Sequence, residues 1–433
     1  MTNRGMRTFT TIWFGQLIST LGSGLTGFAL GIWIYEETGS ATLFAISMLV
    51  WILPNILLSP VAGVIADRWD RRIVMILSDS MAGAATLFIF AVLSTGLLKV
   101  WHIYFAQVFF SAANTFQWPA YSAATSLMVP KEQLGRAGGM SQIGQAISTL
   151  ASPAIAGALF VTAGLQAILL IDALTFLFAL GTLVAVRFPQ PAATKDRDKP
   201  GSFFQEALYG WKYIRARAGL FSLLIVFAGM NFLFSMVFPL ITPMLLEMAS
   251  PDVVGYVNSS FGVGTMAGTL VMSAWGGPKR RIYGIVLGEA LTGLSVLLMG
   301  IGMGLSIPIV AVAGFGMMFA MPISNGCSQA IWQSKVAPDV QGRVFAARTM
   351  IAFSIMPVSY LLAGPLSDLV FDPLLVTGGP LAGSLGRVFG VGPGRGTSLM
   401  FVLWGMLYML LVLAILTHPR IRRLEIEIPD TIS

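Results

Sequence analysis

Long apolar runs separated by short polar turns make up most of the chain, and almost no stretch alternates apolar and polar residues with the period of a strand. A bilayer core about 30 Å thick requires roughly 20 apolar residues per crossing helix. The runs predict twelve such helices, over about 9–35, 42–66, 73–95, 100–127, 138–163, 165–187, 219–246, 254–275, 282–303, 306–334, 343–370 and 398–418. Backbone in lipid must satisfy its own hydrogen bonds, so missing strand alternation favours a helical bundle over a barrel.

The turns repeat. MVPKEQLGRA (128–137) returns as KVAPDVQGRV (335–344), with the prolines 208 residues apart and the arginines 207. The basic turn Arg68, Arg71, Arg72 has a counterpart in Lys279, Arg280, Arg281 near the same offset. A long-period repeat of basic turns between apolar spans marks two similar membrane bundles in tandem. The predicted fold is therefore an all-α integral membrane protein. A six-helix bundle fills 1–188, a cytoplasmic linker 189–218, a second six-helix bundle 219–418 and a cytoplasmic tail 419–433.

Charge sets the orientation. Of 26 Lys and Arg residues, all but Lys99, Arg387 and Arg395 fall at cytoplasmic ends or loops if both termini are cytoplasmic. That placement also explains the net charge of +7 without nucleic acid. Hydrophobic residues at 56% and charged residues at 10% leave too little polar surface for a soluble globule. The single cysteine, Cys327, excludes a disulfide framework, and two histidines, His102 and His418, exclude a His-rich metal site. The basic N-terminus runs into a span too long for a signal-peptide core and is expected to remain as the first helix. The linker carries Pro and charges of both signs over 189–202. A basic amphipathic helix follows it, with Phe204, Leu208, Trp211 and Ile214 on one face, expected at the headgroup surface as a tether or a lipid sensor. The long Gly-rich outer segment 371–397 has no readable purpose.

Three carboxylates lie at hydrocarbon depth, where ionisable groups are costly and are functional candidates by default. Asp79 and Glu289 occupy nearly equivalent places in the two halves. Each is a proton-coupling candidate, with pairing to the basic loops or capping of buried backbone as the structural alternative. Asp172 has no basic neighbour in its own half and stands first as a proton site, against a hydrogen-bonded structural role. Polar residues recur at matched depth. Gln117 corresponds to Asn325 and Tyr121 to Gln329, four residues apart on one face of each helix. Gln16, Gln142 and Asn231 join them as candidates to line a substrate cavity, the alternative being hydrogen bonds between helices. Nearby Met and aromatic residues suit a large amphipathic ligand. No phosphate-binding loop with its lysine and no nucleophile–histidine pair is present, so neither an ATPase nor another enzyme is expected.

The segment GVIADRWDRR (63–72) resembles the helix 2–3 loop of the major facilitator superfamily, with Gly63, Asp67, Arg68, Arg71 and Arg72 at the matching positions and Asp70 where that family has glycine. FGQLISTLGSGL, LLIDALTF, EALYGWKYIR and the Gly342-Arg343 pair are similar to the macrolide-efflux and enterobactin-exporter branch of drug–proton antiporters. The resemblance implies that Asp67 faces the N-terminal end of helix 11, latching the cytoplasmic side shut while the outer side is open. Arg68, Arg71 and Arg72 would pair with carboxylates or anchor to headgroups. It further implies a monomeric multi-pass exporter of amphipathic small molecules in a bacterial inner membrane. Such a protein is driven by the proton gradient without a cofactor and has the bilayer and a small-molecule substrate as its partners. A siderophore, metabolite or lysolipid transporter on the same fold, or a membrane sensor that has lost transport, are the alternatives.

Overall fold

The computed structural model describes residues 2–130, 133–186, 203–302, 306–337 and 340–429. The N-terminal region contains α1 (Thr2–Thr38), α2 (Ala41–Arg68), α3 (Arg71–Ser94), α4 (Val100–Met128) and α5 (Leu134–Ala185). The unbroken run of α5 holds two crossing helices, 134–163 and 165–185, which part at Gly164 with φ 76° and ψ 173°. A side chain would be strained in that conformation, so glycine supplies the sharp turn between spans five and six. Then come α6 (Phe203–Arg215), α7 (Ala218–Leu246), α8 (Pro251–Trp275), α9 (Arg281–Gly302) and α10 (Ile307–Lys335). The eleventh span is built from α11 (Gln341–Ser354), α12 (Met356–Pro365), a π-helical turn (Leu366–Phe371) and α13 (Asp372–Leu375). After α14 (Gly386–Phe389), α15 (Arg395–Thr417) is the twelfth span, and α16 (Pro419–Arg422) and α17 (Leu424–Glu427) follow it.

Among the described residues, nine helical segments are long and apolar enough to cross a bilayer. One of these, α5, contains two crossings, and α4 and α8, with 29 and 25 residues, bring the number to twelve.

Two compact units result, Met1–Lys195 with Ala249–Ser259, and Asp196–Met248 with Ser260–Ser433. In the first, Leu30, Ile34, Ile89, Ile103, Ile168 and Leu169 form one buried cluster, and Phe9, Ile12, Met75 and Leu183 a second toward the other end of the helices. In the second, Leu223, Ile285, Ile331, Trp332, Val412 and Ile421 make the main core. There Gly264 and Gly268 of α8 lie one turn apart, and a Cβ on either would overlap the carbonyl oxygen of Phe315 or Phe319 on α10. Small residues at this spacing let two helix backbones meet, which is how bundles pack where lipid removes the hydrophobic incentive.

The segments outside the spans are built into the second unit. On α6, Ile214 is fully buried in the core, and Gly210 lies against the backbone of Arg343 at the start of α11. The tether or sensor helix is thus packed on protein along part of its length; the side chains of residues 203–208, and the linker 187–202, lie outside the described residues. The tail docks as well. Both carboxylate oxygens of Glu425 accept backbone N–H groups at the start of α9, from Arg281 at 2.9 Å and Ile282 at 3.1 Å. Lys335, at the end of α10, donates to the carbonyls of Glu425 at 2.8 Å and Ile428 at 2.6 Å. An acid at a helix N-terminus and a cation on carbonyls each complement the local dipole. The segment after the eleventh span folds on its own small core of Leu375, Phe389 and Leu399. Asp372 accepts the backbone N–H of Thr397 at 3.0 Å, tying the segment to α15.

Candidate functional site

In the 63–72 turn, Asp70 caps α3 by accepting the N–H of Arg72 at 2.9 Å. A carboxylate is a strong N-cap, which gives the departure from glycine a local reason. The Arg72 guanidinium reaches the other way, donating from Nε to the carbonyl of Leu183 at 2.9 Å and from Nη2 to that of Val184 at 2.6 Å. Arg72 therefore closes the C-terminal end of the sixth span, where carbonyls have no helical donors. Gly63 and Asp67 fall within the helical backbone of α2, but the side chains of Asp67 and Arg68 lie outside the described residues, as does the surface at Gly63 and Gly342. Arg343 is exposed, its guanidinium 5.5 Å from the Tyr209 ring centroid.

The three intramembrane acids sit in three different settings. Asp79 on α3 is 6% exposed and lies between two amides. Gln16 of α1 donates from Nε2 to one carboxylate oxygen at 2.9 Å, and Gln117 of α4 donates from Nε2 to the other at 2.9 Å. The same Gln117 nitrogen lies 2.9 Å from Oε1 of Gln16, closing the cluster. Oε1 of Gln117 is buried with no hydrogen-bond partner among the described residues. Two residues read as cavity liners and one read as a proton site thus form a single constellation.

Asp172, in the second arm of α5, is 1% exposed, and its side-chain donors among the described residues are hydroxyls. Thr26 of α1 and Thr86 of α3 each donate to Oδ2 at 2.9 Å, and Ser23 of α1 to Oδ1 at 3.3 Å. It joins three helices of the first unit. In the second unit Glu289 of α9 accepts the hydroxyls of Ser324 on α10 and, at 2.6 Å, of Tyr408 on α15. Ser324 lies at an offset of 207 from Gln117, so it is Ser324 and not Asn325 that meets the repeat-related acid, and Asn325 is exposed one residue on.

The remaining candidates divide. Tyr121 pairs its hydroxyl with Ser141 at 3.2 Å, linking α4 to α5. Asn231 of α7 donates to the carbonyl of Ala352 at 3.2 Å, linking α7 to α11. Gln142 is exposed on α5. Gln329 accepts from Arg348 Nη1 at 2.8 Å. To these the structure adds Arg348, whose signal in the sequence is a cation inside the eleventh apolar span, hidden because Arg343 at the span's edge gives it the look of a loop charge.

Removing the Asp172 carboxylate should loosen the first unit. Hydrogen bonds between helices in a bilayer average about 0.6 kcal/mol, so Asp172→Ala should cost about 2 kcal/mol for its three. At roughly 2–4 °C per kcal/mol, its melting temperature in detergent is expected to fall by about 4–8 °C. An unchanged melting temperature would assign Asp172 no role in packing.

The family model described as Major Facilitator Superfamily matches residues 12–360. Macrolide efflux protein A of Streptococcus pyogenes is 32% identical over 365 residues, covering 83% of this chain and 89% of that protein. The multidrug efflux pump Tap of Mycobacterium bovis is 25% identical over 374 residues, covering 82% and 86%. Among solved structures, a bacterial homologue of the human lysosomal transporter Spinster superposes with a TM-score of 0.67 at 12% identity, covering 96% of this chain and 98% of that one. A bacterial homologue of the iron transporter ferroportin gives 0.65 at 14% identity, covering 94% and 99%. At such identities the structural likeness shows the fold alone.

Proposed function

Because this chain belongs to the Major Facilitator Superfamily, a family of multi-pass membrane transporters, we propose that it exports macrolide-like amphipathic small molecules by alternating access, in exchange for protons. The reading extends to a monomer in a bacterial inner membrane, with both termini cytoplasmic, no cofactor and no enzymatic step. The efflux assignment draws on the relatives named for macrolide and multidrug efflux.

The observation that carries proton coupling is the amide clasp on Asp79. A carboxylate accepts from both amides, whereas a protonated carboxyl must find an acceptor for its own O–H. A hydroxyl neighbour meets that need by rotating, as Thr26, Thr86, Tyr408 and Ser324 can around Asp172 and Glu289. An amide cannot. It must turn over and present oxygen in place of nitrogen, and Gln117 holds a buried oxygen without a hydrogen-bond partner among the described residues. Proton occupancy at Asp79 is therefore felt by Gln16 and Gln117, the two amides also read as substrate contacts. Among the three acids, our reading takes Asp79 first for coupling, supported by its amide neighbours, with Asp172 and Glu289 as the alternatives.

The test is efflux of a radiolabelled macrolide from proteoliposomes with an imposed proton gradient. Transport that follows the gradient and collapses with a protonophore is expected. Transport of equal rate with and without the gradient would overturn proton coupling, and absence of macrolide movement under either condition would overturn the substrate class.

A further inference from the structure

Arg348 lies five residues into α11 from Arg343, about 7.5 Å along the helix axis, inside the eleventh span. Its guanidinium is held from one side by α10. Nη1 donates to Oε1 of Gln329 at 2.8 Å, Nη2 donates to Oγ of Ser328 at 3.1 Å, and the group stands 5.1 Å from the centroid of the Trp332 ring. Ser328 and Trp332 are themselves buried, at 0% and 1% exposure, so two of the three groups that hold the guanidinium are enclosed by protein. An arginine in a membrane span stays charged and is expensive to keep there. Such residues pair with one another or with backbone carbonyls, whereas the hydrogen-bond acceptors of Arg348 among the described residues are the neutral side-chain oxygens of Gln329 and Ser328.

The donor count sharpens the point. A guanidinium carries five N–H groups in a planar fork, and the two neutral oxygens of Gln329 and Ser328 use two of them. The neighbours orient the cation without neutralising it. Asn325 and Gln333 lie one turn to either side of Gln329 on the same face of α10, and both are exposed, so the approach to the group is polar and open.

We propose that Arg348, positioned by Gln329, Ser328 and Trp332, is a binding site for a carboxylate or phosphate group carried on an amphipathic molecule. The shared chemistry is a planar or tetrahedral oxyanion that accepts two parallel N–H bonds from the fork. This inference goes beyond the efflux reading and does not depend on it, since binding is measured in the absence of transport. The oxyanion belongs either to a free amphiphile or to the headgroup of an anionic phospholipid.

The experiment uses the full chain in phosphatidylcholine nanodiscs, with dodecyl phosphate as the anionic probe and dodecyltrimethylammonium as the cationic control. Charge-assisted hydrogen bonds set the expected size of the effect. Arg348→Gln should weaken dodecyl phosphate binding roughly ten- to hundredfold and leave the control unchanged, while Arg348→Lys, which keeps the charge but loses the fork, should fall between. Equal affinity of the wild type for both probes overturns the proposal, and that comparison stands even if the Gln variant fails to fold. A folded Arg348→Gln protein that keeps the wild-type affinity for dodecyl phosphate also overturns it. Repeating the titration in nanodiscs containing phosphatidylglycerol separates the sources. Competition that disappears in Arg348→Gln supports the site as a headgroup site, and undiminished probe binding supports it as a site for a free anion.

Discussion

Asp79→Asn is expected to reduce gradient-driven macrolide efflux to background while the protein remains folded and still binds substrate. Asparagine is nearly isosteric with aspartate, but its two terminal atoms are no longer equivalent. Its oxygen can still accept from Gln16 or Gln117, whereas its NH₂ faces a donor unless one of those amides turns over. The variant therefore imitates the protonated carboxyl, fixing the amides in the arrangement that proton occupancy would impose. Exchange driven by a substrate gradient alone should survive, because that mode requires no change of protonation, and coupled transport should not. Wild-type coupled efflux in the purified variant would remove Asp79 from the coupling step. The same substitution at Asp172 or Glu289 would then be the informative one. Asp79→Glu should retain partial coupling, since it keeps a titratable group but displaces it by one methylene from the amides.

The contrast among the three acids comes from the chemistry of their neighbours. Around Asp172 and Glu289 every side-chain donor among the described residues is a hydroxyl. Hydroxyls donate and accept with equal ease, so a proton can arrive with little change in what surrounds it. Around Asp79 both donors are amides, whose two ends are chemically distinct. There, among the three acids, a proton would require an amide to reverse its ends. The apparent symmetry of Asp79 and Glu289 in the repeat thus conceals different surroundings, because the positions of Gln16 and Gln117 in one half are not matched by amides at Glu289 in the other.

How far the chain could be read follows from which forces act locally. Twelve spans are legible because lipid demands long apolar helices, and each demand is written in one continuous segment. The amphipathic helix before the seventh span is legible for the same reason. Contacts made by single residues across the fold are not. The repeat offset of 208 taken from the prolines assigns Asn325 opposite Gln117, whereas the arginine pair gives 207 and so Ser324, the residue that meets Glu289. A shift of one residue on a helix turns a side chain by about 100°, enough to move it from the acid to an exposed face. The docked tail is invisible for a different reason. Its helices, α16 and α17, have four residues each, too few for a periodic signal, and the meaning of Glu425 emerges only once the start of α9 lies beside it. Arg348 is hard to read because Arg343, five residues before it at the edge of the span, gives it the look of a loop charge.

Gly268→Leu should strongly destabilise the folded protein, the largest structural effect expected of any single substitution considered. Gly268 lies on α8 where that helix meets α10, and the atom a side chain would first strike is the Phe319 carbonyl oxygen, with the carbonyl carbon and Cα of the same residue close behind. Backbone in mid-helix cannot turn aside as a side chain can. Relief requires α8 and α10 to separate, and separation undoes the neighbouring close approach at Gly264 against Phe315. Overpacking in a well-filled core ordinarily costs about 1–3 kcal/mol, occasionally more, and contact with fixed backbone belongs at the upper end. Expression should fall and the remaining protein should elute as aggregate on size exclusion, while Gly268→Ala, which adds one carbon, should be damaged less. A monodisperse Gly268→Leu protein with the wild-type melting temperature would show that α8 and α10 do not require this contact.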